Sequence, residues 1–256
     1  VKKIKKKQIN LHLKAISTLV GLLVFVFLLQ KISNLFWPKA NPAHSPAAQT
    51  IPVRPPSKDE IVHGDTTKKQ VIFTFDGGSN HEYSDPILAA LTKHQVKGTF
   101  FLTGEFVERF PGVVKNMVAD GQEVFSHTYD HPHLSRLSDA DVTTELVKME
   151  QSLKDVTGTS PKPFFRAPYG DRDERVINLA YAAGYESVFW TVDAMDWKES
   201  AGETEAQVRD HILSSLAPGN IYLMHIGDTI TGKILDDVFT TIEARGYKIV
   251  SLTQGL

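Results

Sequence analysis

The chain has no cysteine among its 256 residues. That excludes disulfides, thiolate metal sites and a cysteine nucleophile, and leaves cysteine usage silent on the compartment. No acidic residue precedes Asp59, whereas nine of the 28 Lys and Arg lie within residues 1–57. The formal charge of −2 therefore conceals an acidic body, with 19 basic residues against 30 acidic ones beyond residue 57. Such a body is a poor match for a phosphate backbone, which basic patches grip, so nucleic acid is not the expected partner. No internal repeat is present beyond an alternation of strand-like and helix-like runs.

What is present begins with a lysine cluster. Lys2, Lys3, Lys5, Lys6, Lys7 and Lys14 precede an apolar run from Ala15 to Leu29 that continues through Ile32, Leu35, Phe36 and Trp37. A bilayer span needs roughly 20 residues, so residues 1–14 read as a basic cytoplasmic tail and residues 15–37 as a transmembrane signal anchor. The positive flank stays inside, which puts the body outside the cell membrane on a single pass. A cleaved signal peptide and a secreted body are the alternative. The segment Pro38-Lys39-Ala40 is a poor small-x-small cleavage site and favours the anchor. Residues 38–65, with six prolines between Pro38 and Pro56, read as an extended Pro/Ala-rich linker.

The body, residues 66–256, alternates short β-rich runs with helical patterns. The expected strands are Val71–Phe75, Gly98–Leu102, Glu123–Ser126, Pro163–Arg166, Ser187–Val192, Asn220–His225 and Tyr247–Leu252. The expected helices are Asp85–His94, Pro111–Asp120, Ser138–Val156, Glu174–Ala183, Thr204–Leu216 and Lys233–Arg245. Parallel strands joined by helical crossovers follow from this order, giving an α/β fold with a seven-stranded barrel. Gly121, Gly158, Gly184 and Gly246 stand just past helix ends, where a left-handed residue is needed. Leu146, Met149 and Leu153 form a core stripe at helical spacing.

Polar residues recur at the C-terminal ends of the strand-like runs, where α/β barrels place their chemistry. Asp76 ends the first run in Thr-Phe-Asp-Gly-Gly, and its bland reading is a strand-end cap. His127 and His131 are four apart but precede Pro132, which predicts a loop. Two imidazoles so spaced can hold a divalent ion such as Zn²⁺, or can be ordinary loop histidines. Arg166 needs a carboxylate partner if buried, and Asp76 is the candidate. Pro168 stiffens the loop that would aim the Tyr169 N–H at an oxyanion. His225 ends an almost wholly apolar run, and Asp196 would orient it and keep it protonated for general acid work. Asp193 and Trp197 complete the Asp-Ala-Met-Asp-Trp segment. Tyr129, Tyr169 and Trp197 offer flat faces to sugar rings and would serve equally as rim packing.

These segments, in this order, resemble the polysaccharide deacetylase family with the NodB homology domain, carbohydrate esterase family four. The resemblance covers about residues 66–256. It implies a distorted barrel of seven strands and metal-dependent removal of acetyl groups from an N-acetylated glycan, of peptidoglycan or chitin-like type, in the cell wall or outside it. It also implies Asp76 as base, His127 and His131 as metal ligands, Arg166 as tether of the base and Tyr169 as oxyanion donor. Asp196 is then the partner of the acid, His225 the acid, and Trp197, Tyr129 and Leu223 the groove lining. One position departs from the pattern: the family's Thr-Phe-Asp-Asp-Gly reads Thr74-Phe75-Asp76-Gly77-Gly78, so Gly77 replaces the third metal ligand. The ion then keeps two histidines plus waters, or recruits His81, Glu82 or Asp76 itself, or the metal is lost. A glycan-binding protein without catalysis and a glycosidase built on Asp193 and Asp196 are the rival readings.

Overall fold

All eight residues of strand β1 (Gln70–Gly77) are buried, and the rest of the molecule is arranged around it. The computed structural model describes residues 59–256. The basic tail, the apolar span and the linker as far as residue 58 lie outside the described residues. Alternation along β1 separates two cores. Val71, Phe73 and Phe75 join the large cluster shared with the helices. Ile72 faces the other way, into a cluster with Phe101, Phe125, Phe164, Val188, Ile221 and Leu252. Thr74 and Asp76 follow Ile72 on that inner face, which delivers the Asp76 carboxylate to the C-terminal end of the sheet.

Strands β2 (Thr99–Leu102), β3 (Glu123–Ser126), β4 (Phe164–Phe165) and β5 (Glu186–Ser187) extend from one side of β1. On the other side lie β7 (Ile221–His225) and β6 (Val192–Asp193). The order is β5-β4-β3-β2-β1-β7-β6, and every pairing is parallel. β8 (Lys248–Val250) pairs with the start of β1 at Gln70–Ile72. The run expected as one strand over Ser187–Val192 is thus two short strands. Its first half bonds to β4 and its second half to β7, with Val188 N–H donating to Phe165 O and Thr191 N–H to Ile221 O. One run of chain therefore joins the two ends of the sheet path, which is how the barrel is distorted.

Helices α1 (Ser84–Lys93), α3 (Pro111–Ala119), α4 (Asp139–Thr157), α5 (Glu174–Ala182), α6 (Glu205–Ser214) and α7 (Thr229–Ala244) fall where the apolar periodicity puts them. Ser138 caps α4 by accepting from Asp141 N–H, and Gly158 closes it at φ 76°. Ile230, Ile234, Val238 and Ile242 of α7 are buried at spacings of four. Each such side chain contributes roughly 1.5–3 kcal/mol on leaving water. Two helices lack a strong periodic signal and were not expected. α2 (Gly104–Arg109) is only six residues, capped by Thr103 and stopped before Pro111, which disfavours a helical residue at Phe110. α8 (Leu252–Gly255) ends the expected last strand two residues early, at Val250.

The expected linker boundary at residue 65 falls inside the fold. Ile61 bridges Val188, Gly64 N–H donates to Gly219 O, and Asp65 N–H donates to Gly255 O. Glu60 pairs with Arg172 at 2.6 Å. These contacts join residues distant in sequence, so no local composition signals them. Among the described residues no helix is long and apolar enough to cross a membrane.

Candidate active site

Four side chains meet beside the end of β1. Arg166, fully buried just past β4, donates from Nη1 to Asp76 Oδ1 at 2.7 Å and to Thr74 Oγ1 at 2.8 Å. Its Nε and Nη2 donate to the carbonyls of Val188 and Phe189, and its guanidinium lies 4.2 Å from the Phe101 ring centroid. A buried guanidinium is tolerable only when its donors are so engaged. Burial alone would raise the Asp76 carboxyl. The charges of Arg166, first, and of His225 outweigh it and hold Asp76 below the usual carboxylate range, ionised.

The segment from His127 to His131 is the expected loop, with Thr128 and His131 at φ 68° and 65°. Both are left-handed conformations that non-glycine residues hold only when their surroundings impose them. Glu145, buried on α4, supplies that imposition by accepting from the N–H groups of Tyr129 and Asp130 at 2.8 and 3.0 Å. His127 Nδ1 bonds to Arg166 O at 2.9 Å, which assigns the proton to Nδ1 and leaves the Nε2 lone pair free. That Nε2 lies 3.2 Å from His131 Nε2 and 3.5 Å from Asp76 Oδ2. Two nitrogens bound at ~2.0–2.1 Å to one tetrahedral ion are about 3.3 Å apart, so the pair fits a divalent ion. Burial pushes both imidazoles down, His131 to about 4, and both are neutral at neutral pH, as a ligand must be.

Among the described residues, Asp76 is the carboxylate that stands beside the pair, 3.5 Å from His127 Nε2. Gly77 has an ordinary φ, but a Cβ there would come within 2.7 Å of Ile226 Cδ1 and 2.8 Å of Leu102 Cδ2, both side chains fully buried. The place of the missing ligand's first atom is filled with hydrocarbon. Of the substitutes expected from sequence, His81 and Glu82 are not brought in. The His81 ring packs edge-on against Phe110 at 4.4 Å, and Glu82 is exposed. Among the described residues the one group of three donor residues close enough for an ion is Asp196, His225 and Asp228, which contains neither.

The opposite side of the mouth is built from β6, β7 and the start of α7. His225 Nδ1 lies 3.0 Å from Asp196 Oδ1, and Asp228 Oδ2 stands 3.8 Å from the same nitrogen. Burial would lower this imidazole. The hydrogen bond and charge of Asp196, with the charges of Asp76 and Asp228, raise it instead to about 9. His225 is therefore an imidazolium at neutral pH, with Nε2 left to act. Asp76 and His225 are register partners on β1 and β7, which sets base and acid side by side.

The rim residues divide. Tyr169 is 63% exposed and Trp197 48%, so both present ring surface to solvent. Tyr169 has φ 58°, and its ring stacks on His133 at 4.2 Å and meets His131 in a T-shaped contact at 4.5 Å. His133 is held by Asp171 at 3.2 Å and supports that ring. Trp197 is steadied by its Nε1 donating to the Asp193 carboxylate at 3.2 Å. Asp193 is thus spent on Trp197 and Asp196 on His225, so the pair expected of a glycosidase is engaged elsewhere. Tyr129 is packing: a Cβ on Gly104 would lie 2.3 Å from its ring, and its hydroxyl donates to Glu108. Leu223 is buried, two residues before His225 on the same face of β7.

Residues 63–188 match the family model described as Polysaccharide deacetylase. The peptidoglycan-N-acetylmuramic acid deacetylase PdaA of Bacillus subtilis is 32% identical over 194 residues, covering 76% of this chain and 74% of that protein. The chain belongs to the polysaccharide deacetylase family. The solved structure of PdaA, described as a family 4 carbohydrate esterase, superposes with a TM-score of 0.74 at 32% identity, covering 77% of this chain and 85% of that one. A structure from Bacillus anthracis described as a family 4 pseudoenzyme superposes equally well, with a TM-score of 0.74 at 31% identity, over 78% of this chain and 69% of that one. Enzyme and pseudoenzyme share this backbone to the same degree. The family's fold therefore does not decide catalysis, and the side chains of the mouth do.

Proposed function

We propose that the mouth hydrolyses the acetamide of an N-acetylated cell-envelope glycan, of peptidoglycan or chitin-like type, to acetate and a free amine. The observation that carries this reading is geometric: Asp76, with Oδ1 tied to Arg166, stands in register with His225, and His127 and His131 meet beside it. Asp76 is ionised with Oδ2 free of Arg166, His127 and His131 are neutral, and His225 is charged. A hydrolase needs that combination of base and acid facing one another.

His127 and His131 would hold a divalent ion such as Zn²⁺, which when bound supplies a polarised water and an electrophile for the acetyl oxygen. Asp76 Oδ2 takes a proton from the attacking water as its oxygen bonds to the acetyl carbon, while Arg166 keeps Oδ1 fixed. The Tyr169 N–H faces the oxygen on which charge develops. As the carbon–nitrogen bond breaks, His225 Nε2 protonates the leaving amine. The cycle closes when Asp76 releases its proton to solvent and His225 regains one. Tyr169 and Trp197 supply flat walls for the sugar rings. A catalytically silent glycan-binding reading draws on Gly77, but binding uses neither a base nor an acid, and this chain keeps both. In this reading the basic tail and apolar span anchor the domain to the outer face of the cell membrane.

Acetate release by the full chain from N-acetylated glycan oligomers, with metal content measured in the same sample, tests the reading. Acetate without new reducing ends is expected. Glycan binding without acetate would establish the silent reading, and new reducing ends a glycosidase.

A further inference from the structure

The acid side of the mouth contains one more side chain whose place is set with care by the fold. Asp196 is fully buried and accepts four hydrogen bonds. Oδ1 accepts from Trp197 N–H at 3.1 Å and from His225 Nδ1 at 3.0 Å. Oδ2 accepts from His225 N–H at 2.7 Å and from Thr231 Oγ1 at 2.5 Å. A carboxylate offers about four lone-pair sites, so this one is saturated. The same saturation argues against a cation at Asp196, His225 and Asp228, although these residues stand close enough for one. An ion there would displace donors already in place.

Of the four donors, two are backbone groups and one is the acid itself. Thr231 is the remaining side chain, fully buried in the first turn of α7. Its neighbour Gly232 lies so close to α1 that a Cβ would come within 3.0 Å of Pro86, so α7 packs tightly on α1 at this turn. Without the hydroxyl, Oδ2 keeps only the backbone donor of His225. The carboxylate is then held by three donors instead of four, its rotation about the Cβ–Cγ bond is less restrained, and the alignment of Oδ1 with the His225 Nδ1–H loosens. We propose that Thr231 is a positioning residue for the reaction, holding the Asp196 carboxylate in the plane that aims the His225 imidazole at the leaving amine. The inference rests on the deacetylase reading for its kinetic consequence and on geometry alone for its spectroscopic one.

The test compares Thr231→Val, which removes the hydroxyl at constant shape, with Thr231→Ser, which keeps it. In the full chain, Thr231→Val should lower kcat about tenfold or more, the size expected for losing a hydrogen bond to a charged group. KM should stay within about twofold, since Thr231 touches no substrate, and Thr231→Ser should recover most of the rate. In ¹H–¹⁵N spectra of the imidazoles, the His225 Nδ1 proton should exchange slowly in wild type and in Thr231→Ser, and fast in Thr231→Val. Should Thr231→Val not fold, Thr231→Ala removes the same hydroxyl without adding volume. Equal rates in Val and wild type, or Ser falling as far as Val, overturns the proposal. So does a Nδ1 proton unaffected by Val. If wild type releases no acetate, the deacetylase reading fails, and the proton comparison still decides whether Thr231 holds the dyad.

Discussion

Two aspartate–histidine pairs face each other across the mouth, and they carry opposite protons. Asp76 and His127 are 3.5 Å apart, and the imidazole is neutral. Asp196 and His225 are 3.0 Å apart, and the imidazole is charged. The difference lies in burial and in the third group. On the first side burial is the main force holding His127 down, and Arg166, paired with the carboxylate, adds to it. On the second side Thr231 and two backbone N–H groups surround the carboxylate, and the one cation beside it is the imidazole itself. Identical residue types are thus sorted into a ligand and an acid by what else is buried with them.

The largest expected effect comes from destroying one member of either pair. Asp76→Asn and His225→Ala should each cost roughly 10²- to 10⁴-fold in kcat for acetate release while the fold persists. In wild type the rate should fall as pH rises through about 9, where His225 loses its proton, and that limb should vanish in His225→Ala. A limb that survives in the variant removes His225 from the role of acid.

Arg166→Met attacks the difference itself. It leaves Asp76 buried without its cation, which should cost about 3–5 kcal/mol of stability in denaturant titrations. With the repulsion gone, the His127 imidazole should titrate at somewhat higher pH, while burial, the larger cause, still holds it below its ordinary value. An NMR titration of His127 unchanged by the substitution would show that Arg166 does not set the proton on that side.

Gly77→Asp probes the ligand that the first side lacks. Sequence alone offers it as a restored third ligand, but its Cβ would meet Ile226 and Leu102, both fully buried. Overpacking of this kind costs about 1–3 kcal/mol. We expect a lower Tm and Zn²⁺ affinity within a few fold of wild type. Much tighter binding at undiminished Tm would mean that the hydrocarbon yields and the site is readily rebuilt.

The smallest effect is a control away from the mouth. His94, on the seam of α1 and α7, lies 2.9 Å from Asp236 and 2.9 Å from Glu243. Burial would lower it, but these two carboxylates raise it above its ordinary value. A raised folded pKa stabilises fully below the unfolded value of about 6.5 and loses that contribution as pH rises through the folded value. The Tm difference between wild type and His94→Gln should therefore be larger at about pH 6 than at about pH 9. Equal differences would show that His94 contributes through packing against Phe239 and not through its charge.

The amino-acid sequence determined the alternation of strands and helices, because apolar periodicity and helix-end glycines are local signals. It also determined which polar residues stand at the ends of strand-like runs, which is why Asp76, His127, Arg166 and His225 were legible before any coordinates. Tertiary structure decided the rest. That the run Ser187–Val192 divides between β4 and β7, and that residues 60–65 belong to the fold, depends on partners far away in the chain. Glu145, His133 and Thr231 read as ordinary helix or loop residues, since nothing local marks a side chain that will bond to a distant loop or carboxylate. The fate of Gly77 was equally hidden: its sequence context shows a lost side chain, while only packing shows Ile226 and Leu102 filling the space. Protonation was the last to be fixed, because a charge in a protein interior is set by every group buried with it, and those groups come from the ends of five strands and the start of α7.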